Sequence, residues 1–323
     1  MKAFLPSISQ SLRKWAFTLS IIASVAMGMT FPGWFIGIGD FKFTSLFVPI
    51  LQLIMFCMGT TLSVGDFARV IRMPAGVGVG LVCQFTVMPF VGFGLVKVFG
   101  LPPEIAAGVI LVGVSPSGLA SNVMAFIAKA DVAMSVTMTA VATMLSPLIT
   151  PFLMKWLAGA MIEIDAWKMM WGMTKMVVIP VIAGLAFHHL VYHRAQWLDR
   201  VMPLVSMIGI MVMTVLTVAI GRDNLIAMGA ILILVCFLHT TSGYLLGYLI
   251  CRGLQLEKQT CRTIALEVGM QNSGMAAGIA GSMNKVATLG LAPIVFGPIM
   301  NTTASAIANW WRTHPADSKT ELS

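Results

Sequence analysis

The chain has 323 residues, of which 58% are hydrophobic and only 10% charged, and its net charge is +8. Soluble domains carry about a quarter charged residues, and a soluble fold of this size could not cover so much apolar surface. The 20 Lys and Arg are scattered at loop positions without a basic stripe or interleaved aromatics, which excludes a nucleic-acid-binding face and leaves topology and anionic headgroups as the meaning of the charge.

Apolar runs of about 20 residues cross a bilayer as helices. The runs here are continuous, whereas barrel strands alternate apolar and polar residues. Ten follow in chain order, over 15–35, 44–65, 73–99, 104–128, 132–156, 167–192, 202–221, 225–251, 263–283 and 286–311. Lys2, Arg13 and Lys14 precede the first run, as in a signal peptide. That run continues to Phe35 and nine more follow, so it is expected to remain as the first helix. The sixth carries charges between Asp165 and Lys175. With a cytoplasmic N-terminus, the inner segments hold Lys2, Arg13, Lys14, Arg69, Arg72, Lys129, Arg194, Arg200, Arg252, Lys258, Arg262, Arg312 and Lys319, which is 13 of 20. Both termini are therefore expected inside. Cys57, Cys83, Cys236, Cys251 and Cys261 fall in or beside apolar runs without a CxxC pair, as small packing residues rather than disulfides or metal ligands.

The chain also resembles itself. Leu81-Val82-Cys83 recurs as Leu234-Val235-Cys236, a shift of 153 that also carries Gly94 to Gly247, Gly100-Leu101 to Gly253-Leu254 and Glu104 to Glu257. The matches predict a duplication with five helices per half. An odd number of crossings inverts the second copy, as in secondary transporters.

Such transporters place their sites where paired helices break. The fourth run contains Ser115-Pro116-Ser117-Gly118-Leu119-Ala120-Ser121-Asn122, and the ninth contains Glu267-Val268-Gly269-Met270-Gln271-Asn272-Ser273-Gly274. Proline removes an amide donor and glycine lets the backbone leave helical geometry. The freed carbonyls can hold a cation and the half-helix N-termini can face an anion. Glu267 is the sharpest residue, lying between Arg262 and a charge-free stretch that reaches Lys285. An acid there is a functional hypothesis by default; the bland alternative pairs it with Arg262 at the interface. Ser135 and Thr139, four apart, share one helix face, and Thr143 continues it. One carboxylate among neutral oxygens suits a hard monovalent cation such as sodium. Gln84, taken alone, suggests an interhelical hydrogen bond.

At these residues the sequence resembles the bile acid:sodium symporter family, in its bacterial branch. Ser121-Asn122, the stretch Lys129-Ala130-Asp131-Val132-Ala133-Met134-Ser135 and Glu267 to Asn272 carry the resemblance. It implies an all-α integral membrane protein of ten transmembrane helices in two inverted five-helix repeats, 1–160 and 161–323. A core domain of helices three to five and eight to ten would carry the broken, crossing helices 4 and 9. A panel domain of helices one, two, six and seven would pack beside it. The resemblance also implies two sodium ions (Na+). The first would be held by Ser121, Asn122, Ser135, Thr139 and Glu267. The second would be held by Gln84, Glu267 and Gln271, with the carbonyls of Val268 and Met270. Asn272 would contact substrate, and Asn301 aligns with a substrate-side position of the last helix. Many relatives have Pro-Gly-Gly-Thr where this chain has Pro116-Ser117-Gly118-Leu119, which removes a threonine hydroxyl from the substrate side.

The implied function is sodium-coupled symport of an organic anion, from bile-acid-like sterols to pantoate-sized acids, across the cell's inner (plasma) membrane. The alternative is a proton-coupled carrier or antiporter with Glu267 as its proton site. No GxxxxGK[ST] and no GxSxG occurs, so neither a P-loop pump nor a hydrolase elbow is expected, and the chain is not read as an enzyme. His188, His189 and His193 lie at a helix end as interfacial anchors, and His239 is expected to pack or to hydrogen bond within the membrane.

Overall fold

A computed structural model describes residues 20–191 and 198–314. Lys2, Arg13, Lys14, His193, Arg194 and Lys319 lie outside the described residues. Fourteen described helices are numbered here in chain order. They are α1 Ser20–Thr30, α2 Phe47–Gly59, α3 Val64–Arg72, α4 Pro74–Phe99, α5 Pro103–Gly113, α6 Leu119–Ile127, α7 Val132–Ala158, α8 Ala166–Met173, α9 Ile179–Val191, α10 Leu198–Ile220, α11 Arg222–Gly253, α12 Lys258–Gly269, α13 Ser273–Ser282 and α14 Leu291–Thr313. A π-helical segment, Thr174–Val178, joins α8 to α9 in one span of 26 residues. The described residues include one small sheet, the hairpin Gly37–Ile38 with Phe41–Lys42, turned at Gly39, whose φ of 56° is left-handed.

The protein is an all-α membrane protein. Among the described residues, five helices are long and apolar enough to cross a bilayer: α4, α7, the α8–α9 unit, α11 and α14. A sixth results if Phe43–Gly59 and Val64–Val70, bent by 75°, count as one span. The run 44–65, expected as one helix, thus ends at Gly59. Ser63 and Asp66 form a capping box that starts α3 on a new axis, and Arg69 bonds Asp66 at 2.7 Å.

The fourth and ninth runs are each two half-helices. α5 stops at Gly113 and α6 begins at Leu119, while α12 stops at Gly269 and α13 begins at Ser273. Pro116 cannot donate a helical hydrogen bond, and Asn272 caps α13 by accepting from the Met275 amide at 2.9 Å. Three of these half-helices, α5, α12 and α13, are buried along most of their length, while α6 exposes Val123 and Phe126. Every residue from Ile105 to Gly113, Cys261 to Gly269 and Gly274 to Gly281 is buried, so each is wrapped by protein on all sides. α12 packs on α11, α4, α7 and α6, and α5 on α4, α14 and α7.

α11 and α12 approach closely at Gly243 and Gly269. A Cβ on Gly243 would stand 2.8 Å from the Gly269 Cα, and Tyr244 covers the other side of Gly269. Glycine is required there because only a bare Cα lets the backbones meet. Arg262, on the same half-helix, turns away from Glu267 to the end of α14. Its guanidinium donates to the carbonyls of Trp311 at 3.2 Å and His314 at 2.6 Å and lies 5.5 Å from the Trp311 ring, where cations favour the carbonyl end of a helix.

Candidate functional site

The two breaks cross and pair. The Asn272 amide donates to the Pro116 carbonyl at 2.7 Å, and Ser117 and Gln271 form an antiparallel bridge. Backbone that has left the helix is thereby satisfied inside the protein, as the membrane interior demands. Two further freed carbonyls are taken by threonines. Thr150 donates to Val114 O at 2.6 Å, and Thr240 donates to Gly269 O at 2.8 Å. Sequence reasoning missed both, because membrane threonines ordinarily turn to their own helix, as Thr137, Thr214 and Thr217 do here.

Glu267 is fully buried, three residues before the second break, and its partners are hydroxyls. Ser121 and Ser135 donate to Oε1, each at 2.5 Å, and Thr139 donates to Oε2 at 2.9 Å. Ser117 also donates to Oε2. Asn122 closes the group, its Oδ1 lying 2.8 Å from the Ser135 hydroxyl and 3.3 Å from that of Thr139. All five residues expected at the first ion site are thus brought together. Ser117, named within the fourth-run break but given no role by the sequence, is an addition; its hydroxyl beside Pro116 was the available signal. The pairing of Glu267 with Arg262 does not occur.

These oxygens outnumber the protons between them. The nine contacts are those of Ser117, Ser121, Ser135 and Thr139 with Glu267, of Ser121 with Gly118 O at 2.7 Å, of Ser135 and Thr139 with Asn122, and of Thr139 with the hydroxyls of Ser117 and Ser121. Each hydroxyl has one proton to donate, so four protons serve nine contacts. A small cation among these oxygens would satisfy the remaining lone pairs, and its charge would match a carboxylate. The donor set of carboxylate, carbonyl and hydroxyls is that of a hard cation.

Beside this group, Gln84 on α4 donates from Nε2 to the Ser115 carbonyl at 2.9 Å and to Gln271 Oε1 at 2.7 Å. The interhelical bond expected of it is present. Gln271 donates in turn to the Val268 carbonyl at 2.6 Å. Gln84, Val268, Met270 and Gln271 are all buried, and Oε1 of Gln84 has no hydrogen-bond partner among the described residues. A buried acceptor without a donor is costly and marks where a cation would be welcome. Asn272 is half-buried, with its Oδ1 capping α13. Asn301 is half-buried on α14, and no hydrogen bond joins it to the crossing among the described residues. His239 is buried against Phe296 with its Nε2 2.9 Å from the Met88 carbonyl, the packing role expected of it.

The sequence comparisons agree with this chemistry. The model of the Sodium Bile acid symporter family matches residues 48–228. An uncharacterized sodium-dependent transporter, YocS, of Bacillus subtilis (strain 168) is 37% identical over 296 residues, covering 91% of this chain and 90% of that protein. The probable chloroplastic sodium/metabolite cotransporter BASS2 of Oryza sativa subsp. japonica is 33% identical, covering 86% of this chain and 67% of the relative. The ileal sodium/bile acid cotransporter of Homo sapiens is 30% identical, covering 71% of this chain and 67% of its own length. By its family model and by relatives that match over most of its length, the chain belongs to the sodium bile acid symporter family, whose members are transporters and not enzymes.

Proposed function

We propose that the protein is a sodium-coupled symporter of an organic anion, working by alternating access in the inner (plasma) membrane with both termini cytoplasmic. The observation that carries this is the group of oxygens around Glu267, in which one buried carboxyl group meets four hydroxyls and the contacts outnumber the hydroxyl protons. In this reading one Na+ sits among Ser121, Asn122, Ser135, Thr139 and Glu267. A second sits among Gln84, Glu267 and Gln271 with the carbonyls of Val268 and Met270. The relatives named as sodium-dependent transporters or cotransporters support the coupling ion.

Ten spans in two inverted repeats, 1–160 and 161–323, complete the proposal, with helices three to five and eight to ten as core and one, two, six and seven as panel. Three observations support it. The order long, short, short, long of α4 to α7 returns in α11 to α14. Left-handed residues recur at one offset, Gly100 with Gln255 and Lys129 with Asn284, each pair 155 apart, two more than the shift of 153 by which the sequence paired Gly100 with Gly253. The same offset exchanges the two sides of the pairing at Pro116-Ser117 and Gln271-Asn272, which is what a two-fold axis through the crossing would produce.

Sodium neutralises Glu267 and draws the two breaks together. The N-terminal ends of α6 and α13 then offer partial positive charge to an anion, with Asn272 and Asn301 on the substrate side. Because each ligand favours the ordered crossing, sodium and substrate tighten one another equally. The test is uptake of labelled taurocholate and pantoate into proteoliposomes with an inward sodium gradient against an equal potassium gradient. Uptake that requires sodium is expected for a carboxylate or sulfonate. Uptake driven by a pH gradient and indifferent to sodium would move the function to proton coupling through Glu267.

A further inference from the structure

We propose that Ser117 is a sodium ligand in its own right, an additional hydroxyl oxygen of the site around Glu267. The inference rests on the sodium reading above. Ser117 is 1% exposed, its hydroxyl donates to Glu267 Oε2, and its oxygen lies 3.3 Å from the Thr139 hydroxyl. It therefore stands inside the same group of oxygens as the four neutral side chains already assigned.

Its proton is the most constrained of the four. Ser121 can turn its proton to the Gly118 carbonyl at 2.7 Å. Ser135 and Thr139 can turn theirs to Asn122 Oδ1 at 2.8 and 3.3 Å. For Ser117 the described residues offer the Glu267 carboxylate and, more distantly, the Thr139 oxygen. With its proton held on the carboxylate, the lone pairs of Ser117 stay available to a cation without any rotation. A ligand that is already oriented loses less freedom on binding.

The backbone fixes the oxygen as firmly as the side chain does. Ser117 is paired across the crossing with Gln271, and the carbonyl before it accepts the Asn272 amide at 2.7 Å. One residue thus bears on Glu267 through its hydroxyl and on Gln271 through its main chain. An ion at the first position orders the strand that carries a ligand of the second.

The experiment is thermal unfolding of the detergent-purified full chain over a sodium titration, with potassium holding ionic strength constant. A ligand that binds only the folded form raises the midpoint by mass action. Ser117→Ala and Ser117→Cys are expected to raise the half-maximal sodium concentration about tenfold or more, with the midpoint in potassium alone lowered by the loss of the hydrogen bond to Glu267. Ser117→Thr, which keeps a hydroxyl, is expected to stay near wild type. Should the alanine variant fail to fold, the cysteine variant keeps the volume and replaces a hard oxygen by a soft sulfur. An unchanged sodium titration in either variant overturns the assignment. A lower midpoint in potassium with an unchanged sodium response also overturns it, making the hydroxyl structural only. No sodium response in wild type would overturn the sodium reading itself, and the role of Ser117 with it.

Discussion

Gly269→Ala tests whether the second break is held by the close approach of α11. A Cβ there would stand 2.8 Å from Cγ of Tyr244 and closer still to Cδ1 and Cε1. Ordinary contacts begin near 3.4 Å, so the ring or the half-helix must shift by roughly an ångström. Tyr244 is not free to do so, being 4% exposed and donating from its hydroxyl to the Met300 carbonyl at 3.0 Å. Overpacking costs about 1–3 kcal/mol, and loss of the tyrosine bond adds about 1. Alanine returns up to about 1 kcal/mol through helix propensity, leaving a net destabilisation of about 1–3 kcal/mol. The control is Gly78→Ala, at an exposed site on α4 where nothing lies within 4 Å; it is expected to be neutral or stabilising by up to about 1 kcal/mol. Thermal unfolding in potassium chloride reads both. The same shift would move the Gly269 carbonyl off Thr240, now at 2.8 Å, so the sodium response of Gly269→Ala is expected to weaken as well. A Gly269→Ala midpoint at or above that of Gly78→Ala would refute the close-packing argument.

Two further substitutions separate the parts of the site. Gln84→Leu leaves Gln271 Oε1 and the Ser115 carbonyl without their present donor. It is expected to cost about 1–3 kcal/mol and to reduce sodium-to-substrate stoichiometry in a flux assay; unaltered stoichiometry would remove Gln84 from the ion sites. Asn272→Ala loses the cap of α13, worth about 0.5–2 kcal/mol, and weakens substrate while sparing sodium binding. Asn272→Ser restores the cap alone, so restored stability with poor transport is expected, and normal transport would confine Asn272 to capping.

Much of the site was legible because its residue types are conspicuous in an apolar setting. Glu267 stood alone among charge-free residues, and Pro116, Gly118 and Gly269 marked the breaks. Ser121, Ser135 and Thr139 meet at the carboxylate, and Asn122 contacts the hydroxyls of Ser135 and Thr139. Thr150 and Thr240 were not legible, since nothing in their local sequence tells which helix carries a carbonyl in need of a donor. Ser117 lies in the break the sequence marks, but nothing in its local sequence tells that its hydroxyl reaches Glu267 on another half-helix. The bend after Gly59 was hidden inside an apolar run that hydropathy reads as straight, although Ser63 and Asp66 form a capping box there. Likewise, α14 starts at Leu291 rather than near residue 286, since Lys285 is drawn into a bridge with Glu104 and Thr288 donates to the same carboxylate at 2.6 Å.

The central claim is that a sodium ion sits on Glu267, and the most direct measurement is equilibrium binding of radioactive sodium to purified protein, wild type against Glu267→Gln. Glutamine keeps the volume and removes the charge, so the four hydroxyls retain a partner while the cation loses its counter-charge. The account predicts saturable binding in wild type, displaced by unlabelled sodium but not by potassium, and its loss in Glu267→Gln. Equal sodium binding by the two proteins would contradict it.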